Sequence, residues 1–80
     1  MELVAVVKRD CETCQLVEPV LAELRNAGSL TLYSQDDPDF PESLGGARDD
    51  TALEQSWRLN IETVPTLIRF DGGAEAGRIE

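Results

Sequence analysis

The sequence predicts a single α/β domain over residues 1–80, with elements in the order βαβαββ around a central mixed four-stranded sheet. Three observations carry this prediction. Leu3-Val4-Ala5-Val6-Val7 is an unbroken apolar run, mostly β-branched, which reads as a strand buried on both faces and central in its sheet. A segment of helical apolar spacing separates it from the alternating Leu30-Thr31-Leu32-Tyr33, so these two strands are expected to pair in parallel. Near the end, Thr66–Phe70, Asp71-Gly72-Gly73 and Ala74–Ile79 read as strand, tight turn and strand, a hairpin.

The elements follow in order. Lys8-Arg9-Asp10 is the polar exit of the first strand. From Cys11 to Ala27 the apolar residues Leu16, Val17, Val20, Leu21 and Leu24 recur at three- and four-residue intervals, which puts them on one helix face. Glu12, Glu18, Glu23 and Arg25 take the other side, and Gly28 is the stop. Pro19 falls inside this pattern. The apolar period runs on past it, so a kinked helix is expected, at a cost of about 3 kcal/mol. Gln35–Asp50 is a long acidic loop punctuated by Pro38, Pro41, Gly45 and Gly46, with a short helical turn expected around Pro41–Leu44. Its carboxylates lack the spacing of a calcium loop. Thr51-Ala52-Leu53-Glu54 has the capping-box pattern and is expected to open a second helix. That helix would pack Leu53 and Trp57 from one face and close near Leu59, with Asn60 as a left-handed cap.

Composition narrows the function. Sixteen acids against seven bases give a net charge of −9, which argues against nucleic acid and against an anionic membrane surface. Met1-Glu2 opens on an acid, and Leu3–Val7 is too short for a signal h-region or a membrane span, so the expected location is cytoplasmic. A mature domain cut from an exported protein would read the same way.

The chemistry concentrates in Asp10-Cys11-Glu12-Thr13-Cys14, which holds both cysteines of the chain at the junction of a strand and a helix start. Free N–H groups and the positive end of the helix stabilise a thiolate there. Two thiols at that spacing, one to attack and one to resolve, suit disulfide exchange. Two other readings stay open. A structural staple of this span would gain only about 2 kcal/mol in loop entropy, against about 3 for a fifteen-residue loop. A zinc site would need ligands this chain lacks, since it has no His and no further Cys; a second subunit would have to supply them. No resident metal and no cofactor are expected.

This order of elements and motifs resembles the thioredoxin superfamily over nearly the whole chain. Cys11 and Cys14 fall where that family has its nucleophilic and resolving thiols. Pro19 matches its helix-kinking proline, and Val64-Pro65-Thr66 matches the segment that carries its cis-proline. The resemblance implies a thiol–disulfide oxidoreductase. Cys11 would attack a protein disulfide, and Cys14 would resolve the mixed disulfide. Val64 and Pro65 would bind an extended substrate through exposed backbone, a contact of the strand-addition kind. The partners implied are protein disulfide substrates and an electron donor.

The departures from the family are specific. Asp10 stands where thioredoxins have Trp, Glu12-Thr13 where they have Gly-Pro, and Ala5 where they have a buried Asp. Asp10, Glu12 and Thr13 therefore modulate the site. The two carboxylates oppose a thiolate at Cys11, while the helix start and Lys8 or Arg9 favour it. These departures keep alive a thioredoxin-like binding or redox-sensing module without turnover, and metal or metalloid capture by the vicinal thiols. The family also ends on a helix that covers one sheet face. That helix is missing here, so the chain is expected to belong to a longer protein or to a dimer, and to expose an apolar sheet face near its C-terminus.

Overall fold

The apolar run after Met1 forms β1 (Glu2–Val7), in which Ala5, Val6 and Val7 are fully buried. The structure is a computed structural model that describes residues 2–80. The helical segment follows as α1 (Glu12–Leu16) and α2 (Glu18–Ala27). Then come β2 (Leu30–Ser34), a 3₁₀ turn at Glu42–Leu44, β3 (Arg48–Asp49) and α3 (Glu54–Arg58). The hairpin of β4 (Thr66–Asp71) and β5 (Ala74–Ile79) ends the described chain.

The sheet runs β3-β2-β1-β4-β5 and is five-stranded rather than four-stranded. β1 lies at its centre, parallel to β2 from Leu3↔Leu30 to Val7↔Ser34 and antiparallel to β4 from Glu2↔Phe70 to Val6↔Thr66. The extra strand is the two-residue β3, whose Tyr33↔Arg48 and Ser34↔Asp49 pairs extend the sheet beyond β2. Two charged residues carry no alternation to read, and a short charged strand is how a sheet edge is kept from pairing further. The β4–β5 turn places Gly72 at φ 62° and Gly73 at φ 85°, the left-handed pair a two-residue hairpin loop requires.

The pleat sorts the core into two faces. Ala5, Val7 and Leu32 point to the side covered by α1 and α2, where they pack with Cys14, Leu21 and Phe40. Val6 and Ile68 are buried on the opposite side. The helical face differs in part from the expected one. Cys14, Val17, Leu21 and Leu24 are buried or half-buried, at intervals of three, four and three residues, whereas Leu16 and Val20 are exposed. They flank the stripe rather than lying on it.

The kink at Pro19 is a one-residue break at Val17 (φ −88°, ψ 0°), with Pro19 in the first turn of α2. A proline cannot donate to the carbonyl four residues back, and its ring crowds that carbonyl. Continuity survives through Val17, whose N–H donates to Thr13 O at 3.1 Å and whose carbonyl accepts from Leu21 N at 3.0 Å.

The capping box at Thr51 does not form. The Thr51 amide and hydroxyl both donate to Asp49 Oδ1, at 2.8 and 2.7 Å, and the helix begins two residues later than expected, with Leu53 at the N-cap. Asp50, only 3% exposed, caps α3 instead: its carboxylate accepts from Gln55 N, Ser56 N and Ser56 Oγ at 2.9, 2.9 and 2.6 Å. The far end of α3 closes as expected, with Asn60 at φ 55°. Asn60 N donates to Trp57 O at 3.2 Å and Ile61 N to Ser56 O at 2.9 Å, the Schellman pattern. Trp57 and Leu53 do not pack; Trp57 is 82% exposed and Leu53 is exposed beside it.

Candidate functional site

Cys11 is the N-cap of α1, with extended backbone (φ −159°, ψ 107°). Its Sγ accepts the Cys14 N–H at 3.2 Å, and its carbonyl accepts the Gln15 N–H at 3.2 Å. The Gln15 side chain reaches back to Arg9 O at 2.8 Å. One free N–H of the helix's first turn, that of Cys14, therefore points at the sulfur of Cys11, at the strand–helix junction.

The two thiols are free and differ in setting. Cys11 is half-buried at the surface, while Cys14 is 0% exposed within the core face of the sheet. Burial, above all, pushes the Cys14 thiol up to about 12; its hydrogen bond with Cys11 and the charges at Cys11 and Asp36 add to this, against a Lys8 backbone hydrogen bond that lowers it. Cys14 is thus a protonated thiol at neutral pH, lying beneath a more accessible one.

The loop before β4 faces Cys11. The Cys11 thiol lies 3.7 Å from Val64 O, at the limit of a sulfur hydrogen bond, and the Val64–Pro65 peptide is cis. Val64 and Pro65 are half-buried; Thr66, 1% exposed, anchors the segment by donating to Thr63 O at 2.6 Å. Asp10, Glu12 and Thr13 are exposed at the rim. Of the two basic residues expected to favour a thiolate, Arg9 is engaged elsewhere. Its guanidinium donates to Asp37 Oδ2 at 2.6 Å and to Glu42, and it stacks 5.4 Å from the Phe40 ring centroid. Beside the thiols an open apolar groove runs between α1–α2 and the hairpin, bordered by Val17, Val20, Leu24, Pro65, Leu67 and Ile79. Among the described residues no group of three or more metal-ligating side chains comes together.

The acidic loop is the part of the site that sequence reasoning missed. Asp36 accepts the backbone N–H groups of Arg9 and Asp10 at 2.8 and 3.0 Å, directly upstream of Cys11. Phe40 and Pro41, joined by a second cis peptide, are buried under the same corner. The Asp36-Asp37-Pro38 run does signal a turn after a strand, but its target lies 26 and 27 residues back, where no local pattern points.

This architecture is a thioredoxin-like fold, with a Cys-x-x-Cys pair at the end of its central strand. Solved structures match it closely in shape. The crystal structure of the reduced Schistosoma mansoni thioredoxin pre-protein superposes at a TM-score of 0.70 with 19% identity, over 96% of this chain and 62% of that one. Thioredoxin 1 from the thermophilic eubacterium Thermosipho africanus superposes at 0.67 with 17% identity, over 100% of this chain and 76% of that one. The chain thus spans less than two thirds of the length of the Schistosoma protein. No protein-family model and no curated protein sequence matches it. Among the described residues no helix is long and apolar enough to cross a membrane.

Proposed function

We propose that the protein is a thiol–disulfide oxidoreductase that reduces protein disulfides through Cys11 and Cys14. The observation that carries this reading is the asymmetry of the pair. Cys11 is accessible and receives a helix N–H on its sulfur, while Cys14, 0% exposed, is held protonated below it. In the first step the Cys11 thiolate attacks one sulfur of a substrate disulfide. A mixed disulfide forms, and the other substrate sulfur leaves as a thiolate that takes up a proton. In the second step Cys14 loses its proton and attacks Cys11 Sγ, releasing the second substrate thiol and leaving a Cys11–Cys14 disulfide. Two electrons pass to the substrate, and a dithiol donor must return them. Val64 and Pro65 would seat the substrate backbone beside Cys11. We place the protein in the cytoplasm, where this reducing direction fits.

The binding-module alternative keeps one specific support. Ala5 shares the core cluster with Cys14, so the strand beneath the dithiol offers a methyl group where a base would assist the second step. Insulin reduction with dithiothreitol as donor separates the two readings. The oxidoreductase accelerates insulin precipitation over dithiothreitol alone; Cys11→Ser abolishes that acceleration; Cys14→Ser accumulates a mixed disulfide with its substrate on a non-reducing gel. Failure of the wild-type chain to accelerate the reaction would hand the lead to the binding module.

A further inference from the structure

What holds Cys11 in place is not α1 alone. α1 has five residues and breaks at Val17, too short to fix its own first turn, because helix nucleation is unfavourable and a segment of this length is not stable by itself. The residues that lead into it, Arg9 and Asp10, have left β1 and carry no ladder hydrogen bonds. Their N–H groups go to a single side chain. Asp36 Oδ1 accepts Arg9 N at 2.8 Å and Asp36 Oδ2 accepts Asp10 N at 3.0 Å. The carboxylate is itself oriented from its own loop, by Asp37 N at 2.7 Å and by the Ser34 hydroxyl at 3.3 Å. Ser34 is fully buried on β2, paired with Val7 of β1. The chain of support thus runs from the sheet through Ser34 and Asp36 to the two peptides before the thiol.

We propose that Asp36 is a positioning residue for Cys11: by gripping the Arg9 and Asp10 amides it sets the turn that delivers the sulfur to the Cys14 N–H in the first turn of α1. This deepens the proposed dithiol chemistry and rests on it. A carboxylate is suited to the task, because backbone N–H bonds to an ionised acceptor are about twice as strong as neutral ones. Burial pushes the Asp36 carboxyl up, but the amides of Arg9, Asp10 and Asp37 and the Ser34 hydroxyl outweigh it, so the group sits below the usual carboxylate range and is ionised at neutral pH. Arg9 adds a second tie between the same two loops, through Asp37 and Glu42.

The position has an opposing electrostatic effect, and this makes the role testable by sign. Cys11 has carboxylates at Asp10 and Glu12 on its own segment, Asp36 from the loop after β2 and Cys14 beneath it. The loop before β4 brings the Val64 carbonyl, with Glu62 its nearest ionisable residue in sequence. Removing the negative charge of Asp36 would by itself favour a thiolate and speed alkylation. Releasing the Arg9–Asp10 turn would loosen the Cys14 N–H contact on Cys11 Sγ and slow it.

The test uses the full chain as wild type, Asp36→Ala and Asp36→Asn. It reads the iodoacetamide alkylation rate of Cys11 at pH 7, well below each melting temperature, with mass spectrometry to locate the label. Positioning predicts a rate about fivefold lower in Asp36→Ala, in line with weakening a hydrogen bond to a charged sulfur. Asp36→Asn keeps a planar oxygen for one of the two amides and falls between. If Asp36→Ala does not fold, Asp36→Asn alone decides, and a slower rate supports the proposal. Unchanged or faster alkylation in the folded variants overturns it, as does label appearing on Cys14, which would mean a loosened scaffold. Alkylation needs no disulfide substrate, so a failed insulin assay and a failed alkylation test remain distinct results.

Discussion

Two five-residue helices in this molecule begin in contrasting ways. α1 starts on a sulfur: Cys11 Sγ accepts one N–H, from Cys14, at 3.2 Å. α3 starts on a buried carboxylate: Asp50 accepts two amides and a hydroxyl, all at 2.6–2.9 Å, although Leu53 at the cap itself is left-handed and offers no side-chain bond. The start of α3 is capped by a group that has no thiol chemistry. The start of α1 has an acceptor that is weak as a thiol and strong as a thiolate, on a residue that is partly accessible. Stability at α3 and reactivity at α1 come from the same orphan N–H groups, distinguished by what is placed against them.

The largest effect that would break this contrast is at the thiols. Cys11 should alkylate at least about a hundredfold faster than Cys14 in the native protein at pH 8, because the thiolate is the reactive species and Cys14 is both buried and protonated there. Peptide mapping after brief labelling checks this, and comparable rates would remove the asymmetry. The same shift has a stability consequence. The Cys14 thiol is raised from 9.0 in the free state to about 12 in the folded one. The folded protein then holds a proton that the unfolded chain has lost. The stabilisation is full below pH 9 and declines as pH rises from 9 towards 12. Denaturant midpoints measured across that range should fall in wild type and fall less in Cys14→Ala.

The next effect is at α3. Asp50→Ala should cost about 2–3 kcal/mol, since it removes a cap and leaves the Ser56 N–H without its acceptor in a buried setting. Urea denaturation measures the loss. The alkylation rate of Cys11 should stay within a factor of two of wild type, because the Asp50 carboxylate bonds only Gln55 and Ser56, and the Asp50 N–H that donates to Ser34 O at 2.9 Å is kept in the variant. A matching drop in thiol reactivity would show that the two helix starts are coupled.

The smallest effect sharpens the comparison at Leu53, an exposed residue held at φ 60°. Leu53→Gly should raise stability by about 0.5–1 kcal/mol, since the left-handed conformation costs an L-residue about 1–2 kcal/mol and glycine little, offset in part by glycine's larger loss of chain entropy. A decrease in the denaturant midpoint would mean that the Leu53 side chain contributes contacts that outweigh its backbone.

Much of the fold was legible in advance, and the reason differs by element. β1 announced itself because a strand buried on both faces must be apolar throughout, and the β4–β5 hairpin because its turn needs two left-handed residues and has two glycines. Asn60 was legible as a cap for the same conformational reason. Thr51 was misread because a capping box is defined by spacing alone, and Asp49, two residues upstream, takes the hydroxyl first. Leu16 and Val20 were assigned to the packed face because apolar spacing marks a helical stripe only to within about one position, while the break at Val17 and the width of the sheet decide which flank is covered. Trp57 carried no signal of its exposure; burial depends on what lies opposite, and a five-residue α3 covers little.

By itself the sequence determined most of the strand and helix types, the parallel sense of β1 with β2, the antiparallel β4–β5 hairpin and the position of the dithiol at a strand–helix junction. All of these follow from local periodicity, chain connectivity or one residue's conformational range. Tertiary structure alone decided that Asp36 holds the Arg9–Asp10 turn, that Asp50 caps α3 from outside it, that Arg9 serves the acidic loop rather than the thiols, and that Val64 O lies 3.7 Å from Cys11 Sγ. The Arg9, Asp36 and Val64 contacts join residues more than twenty-five positions apart, and the Asp50 cap depends on where α3 begins. A hydrogen bond requires partners within a few tenths of an ångström, and only the packed sheet brings distant segments to that precision.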